Sequence, residues 1–201
     1  LDFMGAVKYL AEYAHLDLSD LGFDPKSIQT EVERRKQTNL FDEVTRYFAA
    51  QLWSGAGEAA RKYLLGRGFT EKTLREAGWG FCKSDRGLLG HLQKASADIA
   101  LAKELGVIRA DGLDFTANGN GASASPDGCI VYPHTWNGKT TYFSARALKP
   151  IDPNDKSRNL PNERQVYCAL VSGDPHLIIV EGQSDAESLR QLGRSALAMC
   201  G

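Results

Sequence analysis

The sequence predicts an α+β fold in which helices come first, a small sheet follows, and a βαβ unit lies last. Apolar residues recur at helical spacing through the first half of the chain, and strand-like runs follow residue 128. A continuous apolar run then precedes one more helical segment and a short apolar run. Because strand, helix and strand in succession make a βαβ unit, the last part of the chain should contain parallel strands.

The first half is predicted to be helical. Phe3, Val7 and Leu10 repeat at helical spacing, and the polar stretch over residues 17–26 is typical of a linker. A long helix should follow from about residue 27 to residue 53. Shorter helices are expected over residues 58–65, 71–77, 87–94 and 98–105. Thr70 is a suitable cap for the second of these, and the glycines that follow are typical helix stops.

The second half carries strand signals. Residues 114–128 are rich in Asn, Gly, Ala and Ser, which predicts a flexible loop. A strand over residues 129–132 should end at Pro133, and Asn137-Gly138 should turn the chain into a second strand over 139–145. Residues 151–161 are predicted to be a polar loop.

The end of the chain is predicted to form the βαβ unit. The apolar run 177–180 indicates a strand buried on both faces of a parallel sheet. A helix over residues 186–192 and a short strand over 195–199 should follow. Since this strand lacks a continuation and residue 1 is Leu, we expect the chain to be a fragment.

Bulk composition limits the function classes. The chain has 201 residues, 42% hydrophobic and 24% charged, and a formal net charge of −1, so any nucleic-acid site must depend on local basic clusters. No apolar run approaches the roughly 20 residues that span a bilayer. The four cysteines form no CxxC pair, so no zinc site is expected within this chain, and buried thiols in a reducing cytoplasm are expected instead.

An acidic motif is the best local signal for chemistry. Glu181 follows the apolar strand, Gly182 should allow a tight turn, and Asp185 should project from the first turn of the next helix. Ligands bind beyond the carboxyl ends of such strands, and two carboxylates there suit Mg²⁺. The plain alternative is an Asp that only complements the helix dipole, since the EGxxD pattern is loose.

A basic stretch precedes this motif. A phosphate backbone is one ligand for such a stretch, although composition alone favours an ordinary solvated loop. Its basic residues are Lys139, Arg146, Lys149, Lys156, Arg158 and Arg164.

Three segments contain recognisable motifs in a fixed order. Residues 59–70 (AARKYLLGRGFT) resemble ARxYLxxRGL(S/T), residues 129–133 (CIVYP) resemble RIxFPI, and residues 138–148 (GKTTYFSARAL) resemble GxVxGFGGRAL. The order of these motifs resembles that of the bacterial DnaG-type DNA primases. Residues 179–201 resemble the first acidic motif of the Toprim fold. Weaker matches, in the same order, lie at residues 79–81, 156–161 and 164–167.

This resemblance implies a domain organisation. Residues 1–26 would be the tail of an amino-terminal zinc-binding region and a linker, and zinc itself would belong to a missing upstream domain. Residues 27–172 would form a helical and small-sheet subdomain specific to primases. Residues 173–201 would begin a truncated Toprim domain.

The resemblance also implies an activity. The full-length protein would make short RNA primers on single-stranded DNA from ribonucleoside triphosphates, by metal-dependent nucleotidyl transfer. Glu181 and Asp185 would bind Mg²⁺ or Mn²⁺, with further carboxylates expected beyond residue 201, so this chain alone is expected to be inactive. The protein would be cytoplasmic, associated with the nucleoid and not with a membrane, with a replicative helicase as a partner of missing regions. Template or nucleotide phosphates would contact Arg146, Lys156, Arg158, Asn159 and Arg164.

Several positions depart from the family pattern. Asp127 and Cys129 stand where arginines are usual, and Ser144 and Ala145 replace two glycines. Two alternatives therefore stay open: another Toprim enzyme, such as a nuclease or a topoisomerase-like protein, and a non-catalytic DNA-binding module of replication. The residues between 129 and 161 favour the primase over a generic Toprim protein.

Overall fold

Helices occupy the first half of the chain as predicted. The computed structural model describes residues 3–16, 25–117, 125, 127–152 and 156–200. Thr70 caps one helix by accepting from the Thr73 backbone N–H at 3.1 Å. The helices are α1 (Phe3–Tyr13), α2 (Pro25–Trp53), α3 (Glu58–Gly66), α4 (Glu71–Glu76), α5 (Gly87–Lys94) and α6 (Ile99–Glu104), with a 3₁₀ turn at Gly55–Gly57.

The chain divides into two compact units. The first, Leu1–Asn39, holds α1 and the amino-terminal part of α2, where Glu31 accepts from Arg34 at 2.8 Å and from Arg35 at 2.9 Å. These hydrogen bonds lower the pKa of Glu31 to about 2. The second unit is Leu40–Gly201. The domain boundaries expected after residues 26 and 172 stay predictions.

The first sheet of the second unit is antiparallel, with strand order β1-β2-β3-β4. Its strands are β1 (Gly80–Cys82), β2 (Cys129–Trp136), β3 (Lys139–Ala147) and β4 (Ser157–Asn159). Asn137 and Gly138 have φ of 49° and 72°, the two positive values that a type I′ hairpin turn requires. The predicted Asn-Gly hairpin is therefore confirmed.

Two predictions about this sheet were wrong. The strand continues through Pro133. β1 pairs with residues 129–131, so at Pro133 the side of β2 that faces away from β3 is an open edge, where a proline is tolerated. The loop 151–161 contains β4, which β3 recruits by pairing Ser144 with Asn159 and Arg146 with Ser157.

The first residues of the predicted flexible loop, 114–128, are buried, which differs from the prediction. Asp114 and Thr116 are fully buried, because the Asp114 carboxylate accepts from the backbone N–H groups of Asp85 and Thr116, both at 3.0 Å. Residues 118–124 and 126 lie outside the described residues.

The second sheet contains the predicted βαβ unit. β6 (Leu177–Val180) leads into α7 (Gln183–Gln191), and β7 (Ser195–Ala198) pairs with β6 in parallel. An unpredicted strand, β5 (Tyr167–Ala169), pairs antiparallel with β7, which gives the order β5-β7-β6.

The prediction that the apolar run is buried on both faces was wrong. Leu177 is 53% exposed, Ile178 37% and Ile179 69%. Among the described residues, β6 lies at the edge of this sheet and pairs with β7 alone. An apolar run indicates the strand, but its burial depends on which elements cover it.

Two apolar cores support these sheets. In one, Phe143 of β3 packs edge-on against Phe41 and Phe48 of α2, with centroids 5.3 Å and 6.2 Å apart. In the other, fully buried Trp79 packs against Tyr132, and its indole N–H donates to Tyr167 at 2.9 Å. This second core connects the first sheet to α7 and the second sheet, so it sets the position of the acidic motif.

Candidate active site

A cleft of about 250 Å³ lies where the carboxyl end of β6 faces strands β3 and β4. Both predicted carboxylates line it, together with two of the predicted phosphate-contacting residues. The lining residues are Tyr132, Ser144, Ala145, Arg146, Ser157, Asn159, Glu181, Gly182, Gln183, Asp185 and Cys200.

The acidic side of the cleft comes from the turn between β6 and α7. Glu181 follows β6 directly, and its carbonyl accepts from the Cys200 backbone N–H at 3.0 Å, which extends the pairing with the chain beyond β7. Asp185 lies in the first turn of α7. Both residues are exposed, so their carboxylates are accessible to a ligand that enters the cleft.

Gly182 has a different role from the one predicted. Its φ is −124°, an extended value open to any residue, so the turn does not require glycine. A Cβ at this position would lie 3.3 Å from Asp185 Oδ2. Glycine therefore leaves room for the Asp185 carboxylate at the start of the helix.

The opposite wall comes from the first sheet. Arg146 of β3 and Asn159 of β4 line the cleft, and the register pairs Arg146 with Ser157 and Ser144 with Asn159. Because side chains alternate along a strand, Ser157 and Asn159 both face the cleft. Arg146 thus places a cation in the cleft that also holds Glu181 and Asp185.

The other predicted contact residues lie elsewhere. Arg158 projects from the opposite face of β4, is 9% exposed, and donates to the Ser157 carbonyl at 2.9 Å. Lys156 is exposed just before β4 and is not part of the cleft lining. Arg164 lines a separate depression of about 350 Å³ beside Trp136. The structure therefore brings together Arg146 and Asn159, but not Lys156, Arg158 or Arg164.

Several cleft residues were not predicted. Ser144 and Gln183 hydrogen-bond to each other across the cleft, with Gln183 Nε2 2.8 Å from Ser144 Oγ. The buried Tyr132 lines the cleft, and burial raises its pKa to about 12, so its phenol stays protonated. The sequence contained one signal for Ser144, because this serine stands at a position where the family pattern has glycine.

Arg67 is a further cation near this motif. Its guanidinium donates to the Tyr63 hydroxyl at 3.2 Å, and this bond is the main reason that its pKa is raised. The negative charge of Asp185 contributes to the same increase in pKa, so Arg67 lies within electrostatic reach of the cleft. The sequence motif at residues 59–70 contained Arg67, but nothing in its spacing indicated proximity to Asp185.

Helix α7 is held in place by polar contacts with α4. Gln191 accepts from the Thr70 backbone N–H at 3.0 Å and from the Thr73 hydroxyl at 2.6 Å. Arg190 pairs with Glu76 at 3.1 Å. These contacts fix the position of α7, which carries Asp185, relative to α4.

A buried carboxylate on the same helix stabilises its inner face. Glu187 is 2% exposed, accepts from the Tyr167 hydroxyl at 2.7 Å, and pairs with Arg190 at 2.6 Å. Burial raises the pKa of Glu187, although both partners act in the opposite direction. Glu187 therefore belongs to the core and is separate from the cleft.

The cleft suits a hard divalent cation. Mg²⁺ in proteins is commonly held by one or two carboxylates together with waters and substrate phosphates, and Glu181 and Asp185 supply two carboxylates. Among the described residues, no group of three or more His, Cys, Asp or Glu side chains has the arrangement of a closed metal site. A cation here would thus need ligands besides these two carboxylates.

Comparisons with known proteins identify similar sequences and folds. No family profile matches the sequence. The chain is 30% identical over 205 aligned residues to a DNA primase of Clostridium acetobutylicum, an alignment that covers 95% of this chain and 32% of the relative. The chain therefore spans about a third of the length of this curated relative.

Solved structures show the same fold. A DNA primase domain from Pseudomonas aeruginosa is 26% identical to this chain, with a TM-score of 0.62. The match covers 82% of this chain and 54% of the other. The RNA polymerase domain of Mycobacterium tuberculosis primase DnaG, in complex with a double-stranded DNA oligomer with a 6-nucleotide overhang, has a TM-score of 0.69 at 23% identity. That match covers 83% of this chain and 55% of the other. The chain therefore resembles DNA primases in sequence, and it shares its fold with part of the DnaG catalytic core.

Proposed function

We propose that this chain supplies part of the active site of a DNA primase that makes short RNA primers on single-stranded DNA. The observation that carries the proposal is the single cleft that holds Glu181, Asp185, Arg146 and Asn159. Nucleotidyl transfer needs a cation site beside groups that bind phosphate, and this cleft offers both.

Each residue has a distinct part in this proposal. Glu181 and Asp185 hold the divalent cation, Mg²⁺ or Mn²⁺, together with ligands from outside this chain segment. When bound, the cation supplies activation of the primer 3′-hydroxyl and stabilisation of charge on the α-phosphate. Arg146 donates to phosphate oxygens of the incoming ribonucleoside triphosphate or of the template, and Asn159 adds a neutral hydrogen-bonding group.

The proposed partners are a single-stranded DNA template and ribonucleoside triphosphates. Support for DNA comes from the related M. tuberculosis domain, which was solved with a DNA oligomer. Lys156 and Arg164 lie outside the cleft, so we propose that they contact the template backbone at a distance from the reacting groups. Contact with a helicase and association with the nucleoid stay predictions.

The alternatives are weaker on this structure. Another Toprim enzyme would share the acidic motif but not the β2–β4 sheet that supplies Arg146 and Asn159. A non-catalytic module would not need both carboxylates exposed beside an arginine. Across the described residues, no helix combines the length and apolar character that a membrane span requires.

Primer synthesis by the complete primase that carries this chain tests the proposal. Glu181→Gln removes a charge but keeps the shape, and we expect the rate to fall by about 100-fold or more, because a cation ligand contributes several kcal/mol to the transition state. The matched control is Glu104→Gln, at an exposed helical position in α6, which should leave the rate unchanged. Full activity of the Glu181→Gln variant would contradict the proposed function. The 201-residue chain alone should yield no primers.

A further inference from the structure

A buried histidine lies behind the cleft, at the start of a chain of hydrogen bonds. His134 of β2 is 1% exposed, and its Nδ1 lies 2.9 Å from the Gln165 carbonyl oxygen and 3.3 Å from that of Val166. A carbonyl oxygen only accepts hydrogen bonds, so Nδ1 must carry the proton. Burial lowers the pKa of His134 to about 4, so the ring is neutral near pH 7 and Nε2 is an acceptor.

Among the described residues, the two rings that pack against His134 are phenols. Tyr142 and Tyr167 pack edge-on against the imidazole, with centroids 5.1 Å and 5.3 Å away. Burial raises the pKa of both phenols, so both are uncharged near pH 7. The Tyr167 hydroxyl donates to Glu187. The tautomer therefore depends on the backbone carbonyls and on Ser144.

The tautomer determines the direction of the next two hydrogen bonds. His134 Nε2 lies 2.7 Å from Ser144 Oγ, and because Nε2 accepts, the Ser144 hydroxyl must donate to it. The Ser144 oxygen is then an acceptor, and the group 2.8 Å from it is the Gln183 amide nitrogen. The amide of Gln183 is thus oriented with Nε2 toward Ser144. Within the described residues, Gln183 Oε1 accepts no hydrogen bond.

We propose that His134 and Ser144 are positioning residues that fix the Gln183 amide, so that Oε1 is a hydrogen-bond acceptor for an O–H donor bound in the cleft. The proposal rests on the proposed function for the identity of that donor. Gln183 lies between Glu181 and Asp185 in sequence and lines the same cleft. The O–H donors that such a site holds are cation-bound water and ribose hydroxyls.

Nitrogen-15 NMR of the 201-residue chain tests the hydrogen-bond directions without any need for activity. Near pH 7 we expect His134 to carry its proton on Nδ1 and to have an unprotonated Nε2. Gln183→Glu removes the N–H donor but keeps the size. When the introduced carboxyl is ionised it can only accept, so Ser144 donates to it, and His134 gains a proton on Nε2 to satisfy the Ser144 oxygen. Protonation of Nε2 in the wild-type chain would overturn the relay. So would an unchanged His134 spectrum in the Gln183→Glu variant at a pH where the carbon-13 shift of the introduced carboxyl shows that it is ionised.

Kinetics of the complete primase test what the oriented amide does. Ser144→Ala and Gln183→Glu should each lower kcat/KM by about 10- to 100-fold, the range typical of lost support around a metal site. The matched control is Ser188→Ala, an exposed serine on the same helix whose hydroxyl donates to the Ser184 carbonyl.

Two results identify the donor, and both support the proposal. If the donor is cation-bound water, the variants need more Mg²⁺ for half-maximal rate with every nucleotide. If it is a ribose hydroxyl, the preference for ribonucleotides over deoxyribonucleotides falls. Wild-type kinetics in both variants would refute the proposal, and if Glu181→Gln is inactive in the same assay, the proposed function would stand.

Discussion

Tyr167 connects the buried carboxylate of α7 to the core, and removing its hydroxyl should destabilise the chain in a pH-dependent manner. The hydroxyl accepts from the Trp79 indole N–H at 2.9 Å and donates to Glu187 at 2.7 Å. Tyr167→Phe leaves both groups buried with one hydrogen-bond partner fewer. Each lost partner costs about 1–3 kcal/mol, so the free energy of unfolding should fall by about 2–6 kcal/mol at pH 7.

The sign of the pH dependence follows from Glu187. Burial raises the pKa of Glu187 above its ordinary value, so the folded state holds the proton more tightly than the unfolded state. The corresponding stability is fully present below the unfolded pKa and is lost as pH rises through the folded pKa. The Tyr167 hydrogen bond lowers this folded pKa, so in Tyr167→Phe it rises further. The destabilisation caused by Tyr167→Phe should therefore be larger at pH 7 than at pH 4.

Urea unfolding followed by tryptophan fluorescence at the two pH values measures both quantities. Tyr13→Phe is the matched control, because Tyr13 is 78% exposed and its substitution should change the free energy of unfolding by less than about 0.5 kcal/mol. A loss below about 1 kcal/mol at pH 7, or equal losses at both pH values, would refute the account of this network.

Two further predictions concern packing. Phe143→Ala should cost about 3–5 kcal/mol in urea unfolding, because this fully buried ring contacts Phe41 and Phe48, and a cost below about 2 kcal/mol would contradict the packing described. Gly80→Ala should cost about 1–3 kcal/mol, because its Cβ would meet Phe48 Cβ and the Phe48 backbone carbon, the latter at 2.7 Å. By contrast, Gly90→Ala, with open space at a helical position, should stabilise the chain by about 0.5–1 kcal/mol, and equal effects of the two substitutions would argue against the close approach of β1 to α2.

Much of the local structure could be predicted from residue patterns alone. Thr70 and the glycines after the helices mark helix boundaries, because capping depends on side chains within a few residues of the helix end. The Asn137-Gly138 turn is equally local, since two positive φ values are accessible to these residue types. The position of Glu181 after a strand followed from the same kind of short-range pattern.

Strand pairing and burial could not be predicted in the same way. β4 lies inside a polar stretch and forms because β3 offers a pairing edge to it. β6 is apolar yet exposed, because its place at the edge of the second sheet comes from the sheet order and not from its own residues. Likewise, Arg146 and Arg158 look equivalent in sequence, and only the register with β3 places Arg158 on the face away from the cleft.

The sequence by itself determined the helices, the hairpin, the βαβ unit and the two carboxylates of the acidic motif, because each depends on interactions among neighbouring residues. The tertiary structure decided which basic side chain, Arg146, shares a cleft with those carboxylates. It also joined His134, Ser144 and Gln183 in one hydrogen-bonded series. These residues are 10 and 39 positions apart along the series, so no local pattern could relate them. Their contact exists because the second core packs the first sheet against the helix that follows Glu181.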